Sequence, residues 1–425
     1  MALGTICLGI LSLFILVIVF RLHAFLSFII VSIGVGLAQG MQFTAVIESL
    51  QDGIGNTLGF LVLILALGAM LGKQVANSGA AQQISDSLFA VFGIKNTQWA
   101  VMLTGFIVGI TLFYSVGFVI LVPLVFTIAR STGLSLMSIG LPMLAALSVT
   151  HGFLPPHPAP SAIAVLFGAD IGLTLLYGLV VAIPAILISG PLLGRYLKKV
   201  EAKPLKEFLS TTHFQKDELP SLWNSILTAL LPVVLIGGAT LCKEIIAENR
   251  PLYGPITFLG NPVIALLIAV LVSIFSLGLL RGQTMKATMQ SFNESLTGIT
   301  SVLLSIAGAG GLKQILIESG VSESLGTLLQ VSALSPLLIG WLTAGLIRVA
   351  VGSATVAGLT AASIVLPLVE NGLANPQLMV LAIGSGSLML SHVNDAGFWL
   401  FKEYFNLSIK DTLSTWTVME TSIGV

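Results

Sequence analysis

Apolar runs about as long as a membrane is thick recur along the whole chain, parted by short polar stretches. The clearest cover residues 3–20, 24–40, 99–128, 173–193, 222–241 and 262–280. A helix needs about 17–25 such residues to cross about 30 Å of hydrocarbon. A membrane barrel would instead alternate apolar and polar positions in segments of about ten, and the chain has no such alternation. The pattern predicts an all-α polytopic membrane protein.

Composition agrees. Only 8% of the 425 residues are charged and 56% are hydrophobic, whereas a soluble domain carries about 25% charged residues. The lipid bilayer is the expected partner. Net charge is zero, and no basic face interleaved with aromatics points to nucleic acid. Cys7 and Cys242 are too few for a disulfide framework and lack metal-ligand spacing, so both read as inert packing residues, with no metal and no cofactor expected. The N-terminus has neither a basic leader nor a small-residue cleavage site and reads as a retained first helix.

Positive charge in short loops marks the cytoplasmic side. Arg21 and His23 place the first loop inside and the N-terminus outside, and the stretch with Glu48 and Asp52 then becomes an outer loop. Lys73, Arg130, Arg195–Lys216 and Arg281–Lys286 fall inside on the same path. The most basic of these stretches reads as a cytoplasmic linker, 195–220, between two halves.

The halves resemble each other. Gly68-Ala-Met-Leu-Gly-Lys-Gln74 aligns with Gly308-Ala-Gly-Gly-Leu-Lys-Gln314, Ser78-Gly79 with Ser319-Gly320, Gly105 and Gly117 with Gly340 and Gly352, and Thr150-His151 with Ser391-His392. Three spans, near 173–194, 222–242 and 262–280, lie between the halves. An odd number reverses the second half, giving the inverted-topology repeat common in secondary transporters.

Two pairs of matching regions interrupt the apolar pattern. One pair is 148–161, with prolines at 155, 156, 158 and 160 that forbid a regular helix, and the glycine- and serine-rich 384–397. The other is Tyr114-Ser-Val-Gly117 with Arg348-Val-Ala-Val-Gly-Ser-Ala-Thr355. Irregular backbone inside a membrane persists only where protein buries it or it lines a cavity, so four such breaks predict broken helices or re-entrant hairpins around a site. A helix restarting after a break aims its first amides, about half a positive charge, into the gap. Arg348, the one strong cation within an apolar run, costs about 2.5–3.5 kcal/mol to insert and needs a bound carboxylate, Asp395 or helix-end carbonyls to compensate it. His151, His157 and His392, three of five histidines, all lie in breaks, and imidazole exchanges protons near neutral pH. Asp395 is an equally good proton carrier, whereas Glu48, Asp52, Glu294 and Glu370 flank segments and read as interfacial.

The run His-Gly-Phe-Leu-Pro-Pro-His-Pro-Ala-Pro at 151–160 closely resembles the gluconate permeases, bacterial inner-membrane symporters that take up gluconate and related sugar acids with protons, within the ion-transporter superfamily. The stretches at 117–129, 352–357 and 391–405, the last beginning Ser-His-Val-Asn-Asp, resemble further motifs of that family, nearly end to end. Two departures stand out. Ser115 occupies a position where members usually carry a carboxylate, and the closing apolar segment stops at Val425, as if the last helix were cut short.

The resemblance implies an elevator-type architecture, with a transport domain sliding against a scaffold that often forms a homodimer. The expected division is N-terminal scaffold helices at 1–57, a first repeat at 58–172, connecting helices at 173–282, a second, inverted repeat at 283–410 and a partial C-terminal helix at 411–425. Expected substrate ligands are Tyr114, Ser115, Gly117, Ser161, Gly352, Ser353, Thr355 and Asn394, with helices restarting near Pro158–Ser161 and Asp395–Gly397 closing the site. His151, His157, His392, Asp395 and Arg348 are expected to handle protons or charge, His157 or Asp395 carrying the proton. Transport of another carboxylate, or of a hydroxylated amino acid such as D-serine, is the alternative cargo. An intramembrane enzyme built on His151 and His157 fits poorly, because their spacing is not that of a His-Glu-x-x-His zinc helix.

Overall fold

The computed structural model describes residues 8–202, 214–319 and 334–425, apart from positions 10, 14 and 394, and the described residues contain helices and no strand. Ahead of the first break come α1 (Ala24–Ala38), α2 (Phe43–Asn77), α3 (Ala80–Phe92) and α4 (Thr97–Gly109). Then follow α5 (Tyr114–Thr132), α6 (Leu136–Phe153) and α7 (Pro158–Leu166). The connecting helices are α8 (Ile171–Leu187), α9 (Leu222–Ile245) and α10 (Pro262–Ser273). The second half holds α11 (Met285–Glu318), α12 (Pro336–Val351), α13 (Ala354–Glu370), α14 (Pro376–Gly386) and α15 (Ala396–Phe405). A terminal helical run passes through a π-turn, Leu413–Thr417, into α16 (Val418–Gly424). Six helical stretches among the described residues are long and apolar enough to cross a membrane.

α2 and α11 are the longest helices, with 35 and 34 residues. At 1.5 Å per residue each runs about 50 Å, well past the hydrocarbon thickness. This corrects one expectation: Glu48 and Asp52 do not sit in a loop but at exposed positions in the first third of α2. A polar stretch need not end a helix that is long enough to project from the membrane. The expected domain limit at 57/58 falls inside the same helix. The 195–220 linker and the Ser319-Gly320 match lie partly outside the described residues, and Cys7 wholly so.

Three of the sequence breaks appear in tighter form, and the fourth is displaced: 114–117 is helical and the chain is irregular just ahead of it, over Ile110–Phe113. The long apolar run 99–128 is two helices, because the chain leaves helix after Gly109 and resumes at Tyr114. In 148–161 the irregular part shrinks to Leu154–His157. Pro158 and Pro160 sit in the first turn of α7, where the missing amide hydrogens would have had no helical partner anyway. α12 ends on Gly352 at φ +77°, the left-handed cap that glycine adopts without strain. α13 begins beyond Ser353, whose Oγ accepts from the Val356 amide at 3.4 Å.

The order of long helix, broken pair and second broken pair thus occurs in both halves, and so do the packing contacts. Gly105 of α4 lies against Met143 of α6, while Gly340 of α12 lies against Met379 of α14. α2 and α11 cross at facing glycines: a Cβ on Gly53 would stand 2.9 Å from Gly311 Cα and 2.7 Å from Gln314 Cβ, and one on Gly310 would stand 2.6 Å from the Gly53 carbonyl. Small residues at such crossings let two backbones approach closely enough for dispersion to hold them. Buried apolar side chains form two large clusters, one including α2, α7, α11 and α13 and the other α4 to α6 and α15.

Candidate functional site

Between these clusters lies a cavity of about 690 Å³, within the range of about 300–1,000 Å³ usual for small-molecule sites. One wall comes from the two long helices, with Ala69, Gly72 and Lys73 of α2 opposite Glu294, Ser295 and Ile299 of α11. The rest comes from the breaks. The first turns of α5 (Tyr114, Ser115, Val116), α13 (Ala354, Thr355) and α15 (Ala396, Gly397) all open onto it. Three helix N-termini therefore bring their partial positive charge to one space. The first turn of α5 has no side-chain cap.

Arg348, at the end of α12, is 3% exposed. One guanidinium nitrogen donates to the Gly352 carbonyl and another to Asp395 Oδ2, while Nε has no partner among the described residues. Two of the three anticipated ways of compensating this cation, Asp395 and a helix-end carbonyl, are thus in use. Asp395 also accepts from the Ser391 hydroxyl and, through Oδ1 at 3.0 Å, from the Gly397 amide, which caps α15. Ser391 in turn accepts from Trp416 Nε1 at 2.8 Å. This chain of bonds ties the terminal run to both breaks of the second half.

Tyr114 forms an aromatic hub, its ring 5.8 Å from Trp416 and 6.2 Å from His151. Among the described residues its buried hydroxyl makes no hydrogen bond, and neither does His151 Nδ1. Orphaned buried polar atoms are rare in folded proteins and call for a ligand or water. Here the Tyr114 hydroxyl, His151 Nδ1 and Arg348 Nε all belong to residues lining one cavity. A polar, anionic molecule would satisfy them.

Comparison with known proteins now supplies the family. The description "GntP family permease" matches residues 1–425. The chain belongs to the GntP permease family. This GntP permease is 48% identical to the Gnt-II system L-idonate transporter of Escherichia coli K12, over 98% of this chain and 95% of that protein. It is 48% identical to a high-affinity gluconate transporter of the same organism, over 100% and 97%, and 46% identical to the gluconate permease of Bacillus subtilis 168, over 100% and 97%. Its fold is similar to those of the YdaH transporter of Alcanivorax borkumensis (TM-score 0.69, 16% identity, 95% and 96% covered) and of MtrF from Neisseria gonorrhoeae (TM-score 0.70, 15% identity, 94% and 92% covered). The protein is a multi-pass inner-membrane permease and not an enzyme.

Of the residues singled out in the sequence, the permease's cavity gathers Tyr114, Ser115, His151, Arg348, Gly352, Ser353, Thr355 and Asp395. Four others sit elsewhere. Gly117 is buried where α5 meets α6, with room for a Cβ only 2.9 Å from Leu147 Cδ2. His157 donates through Nε2 to the Gly109 carbonyl at 2.6 Å, bridging the two breaks of the first half behind His151. Ser161 is fully buried in α7 with its hydroxyl unpartnered. His392 Nε2 bonds the Val349 carbonyl at 3.1 Å. Asn394 lies outside the described residues. The α15 restart at Asp395–Gly397 borders the cavity, whereas the α7 restart at Pro158–Ser161 does not.

Among the cavity residues that sequence reasoning did not assign to the site are Lys73, Ser148, Glu294, Ser295, Trp416 and Glu420. Glu294 was expected at an interface, yet it lines the cavity and pairs with Lys73 at 3.3 Å. Glu420 carried the same signal as Arg348, being the one charged residue in the apolar stretch 412–425.

Proposed function

We propose that this permease takes up gluconate or a close relative such as L-idonate, driven by a proton gradient. The observation that carries the reading is the convergence of three buried polar atoms, on Tyr114, His151 and Arg348, that have no partner among the described residues, with three helix N-termini on one cavity. Arg348 and the α5 and α13 amides suit a carboxylate, and the hydroxyls of Ser115, Ser353 and Thr355 suit a polyol chain. The names of the relatives, L-idonate and gluconate transporters among them, point to the same class.

Uptake of labelled gluconate into proteoliposomes tests this. Saturable uptake, increased by an inward proton gradient and competed by L-idonate but not by D- or L-serine, is expected. Uptake indifferent to the gradient would remove proton coupling, and competition by serine alone would move the cargo to a zwitterion.

We further infer that the halves are inverted repeats and that α2 and α11 belong to a scaffold past which the broken helices move. The recurring helix order, the paired glycine–methionine contacts and the odd number of connecting spans support this. Lys313 of α11, which donates to the Leu166 carbonyl of α7 at 2.5 Å, then spans the moving boundary. A Lys313Cys–Leu166Cys crosslink should block transport, and unimpeded transport by the crosslinked protein would refute the motion.

A further inference from the structure

Two of the three carboxylates that reach the cavity are matched to a cation. Glu294 pairs with Lys73, and Asp395 with Arg348. Glu420 is the third, and among the described residues no basic group pairs with it. It is 2% exposed, lines the cavity, and receives the Ser148 hydroxyl on Oε1. No protein donor engages Oε2 among the described residues, which leaves that oxygen to the cavity.

The surroundings of Glu420 offer it little. Tyr114 from α5 and the Asp395–Arg348 pair from α15 and α12 are the titratable or charged groups within its electrostatic reach. α6 adds Ser148 and His151. α14, α8 and the π-turn Ile188–Leu192, which also pack against α16, bring no charged side chain.

Charge balance then decides what can enter. With Glu420 ionised and His151 neutral, the cavity holds three carboxylates against two cations, and an arriving carboxylate meets a net negative space. With a proton on Glu420 the side-chain charges cancel, and the anion meets only helix N-termini and polar groups. A buried charge without a counter-ion is costly, so proton and anion favour each other's presence. That is a coupling free energy between two ligands, and it acts equally in both directions.

We propose that Glu420 is the proton-carrying residue of this permease. The proton binds Oε2 from the side of higher proton activity, the substrate carboxylate enters the neutralised cavity, and both leave on the other side, returning Glu420 to its carboxylate. Asp395 and His157 are poorer carriers, since the first is held by three donors and the second is turned away onto the Gly109 carbonyl. This inference rests on the sugar-acid transport reading above.

The test compares wild type, Glu420→Gln and Glu420→Asp in proteoliposomes, with labelled gluconate as probe and two assays, gradient-driven accumulation and gradient-free exchange. Glutamine mimics the protonated acid. It should retain exchange, now insensitive to pH, and lose gradient-driven accumulation by about tenfold or more, the scale of a typical coupling energy. Aspartate should restore gradient dependence at a lower rate. Glu420→Gln that still accumulates gluconate under the gradient overturns the proposal, and so does loss of exchange in both variants when they purify as monodisperse protein. Wild type that fails to exchange gluconate refutes the substrate reading and this inference with it, an outcome visible before any variant is compared.

Discussion

Replacing Asp395 by alanine strips a buried cation of its counter-charge. Arg348 is 3% exposed and the Asp395 side chain 17%. Removing one partner of a buried pair costs about 3–5 kcal/mol. Because Asp395 opens partly to the cavity, the lower end applies, about 3 kcal/mol. Alanine also removes the Oδ1 cap on the Gly397 amide, a loss of about 1 kcal/mol. Asparagine can keep that cap bond, so Asp395→Asn should be destabilised by about 3 kcal/mol and Asp395→Ala by about 4. The double variant Arg348→Met/Asp395→Leu buries no charge and should recover most of the loss, while on the proposed substrate reading it should not transport, since the cation proposed to meet the carboxylate is gone. Denaturant midpoints of the purified protein, compared at equal slope and followed by tryptophan fluorescence, measure this. Trp416 reports locally through its bond to Ser391. An Asp395→Ala protein within about 1 kcal/mol of wild type, or a double variant no better than the single, would refute the reasoning.

Three other perturbations separate packing from binding. Gly53→Ala drives a methyl into the α11 backbone and should cost about 1–3 kcal/mol of stability; Gly59→Ala on the same helix, with nothing within 4 Å, should cost none, both read from denaturant midpoints. His157→Ala loses the bond to Gly109 and about 1 kcal/mol or more with KM for gluconate unchanged, whereas His151→Ala should raise KM; uptake kinetics giving the reverse would exchange their roles. Ser115→Ala removes one hydroxyl from the cavity, and the loss of a hydrogen bond worth about 1 kcal/mol should raise KM about fivefold.

The helical class and the four breaks were legible because hydrophobic run length and helix-breaking residues are local properties. The expectation that Tyr114, Arg348, Gly352 and Asp395 share one space drew on pattern and family likeness together, and the structure brings them together. Two kinds of error have physical causes. The irregular stretch around the four prolines was drawn too wide, because Pro158 and Pro160 fall in the first turn of α7, the restart expected near Pro158–Ser161, where proline breaks nothing. Charge was read as ending a membrane segment, which fails for Glu48 and Asp52 on a helix longer than the membrane and for Glu294 on α11 opposite Lys73. The places of His157 and Gly117 depend on contacts 48 and 30 residues away along the chain, with Gly109 and Leu147, and no local pattern encodes those.

The two ion pairs of the cavity differ in their access to water. The side chains of Lys73 and Glu294 are 30% and 57% exposed, against 3% and 17% for Arg348 and Asp395. Dissolved ions screen exposed charges beyond about 8 Å at physiological ionic strength but reach buried pairs far less. Rising salt therefore weakens the field of the Lys73–Glu294 pair and leaves that of the Arg348–Asp395 pair almost untouched. On the proposed substrate reading, capture and retention of the solute come under separate control, one tuned by the medium and the other by the protein.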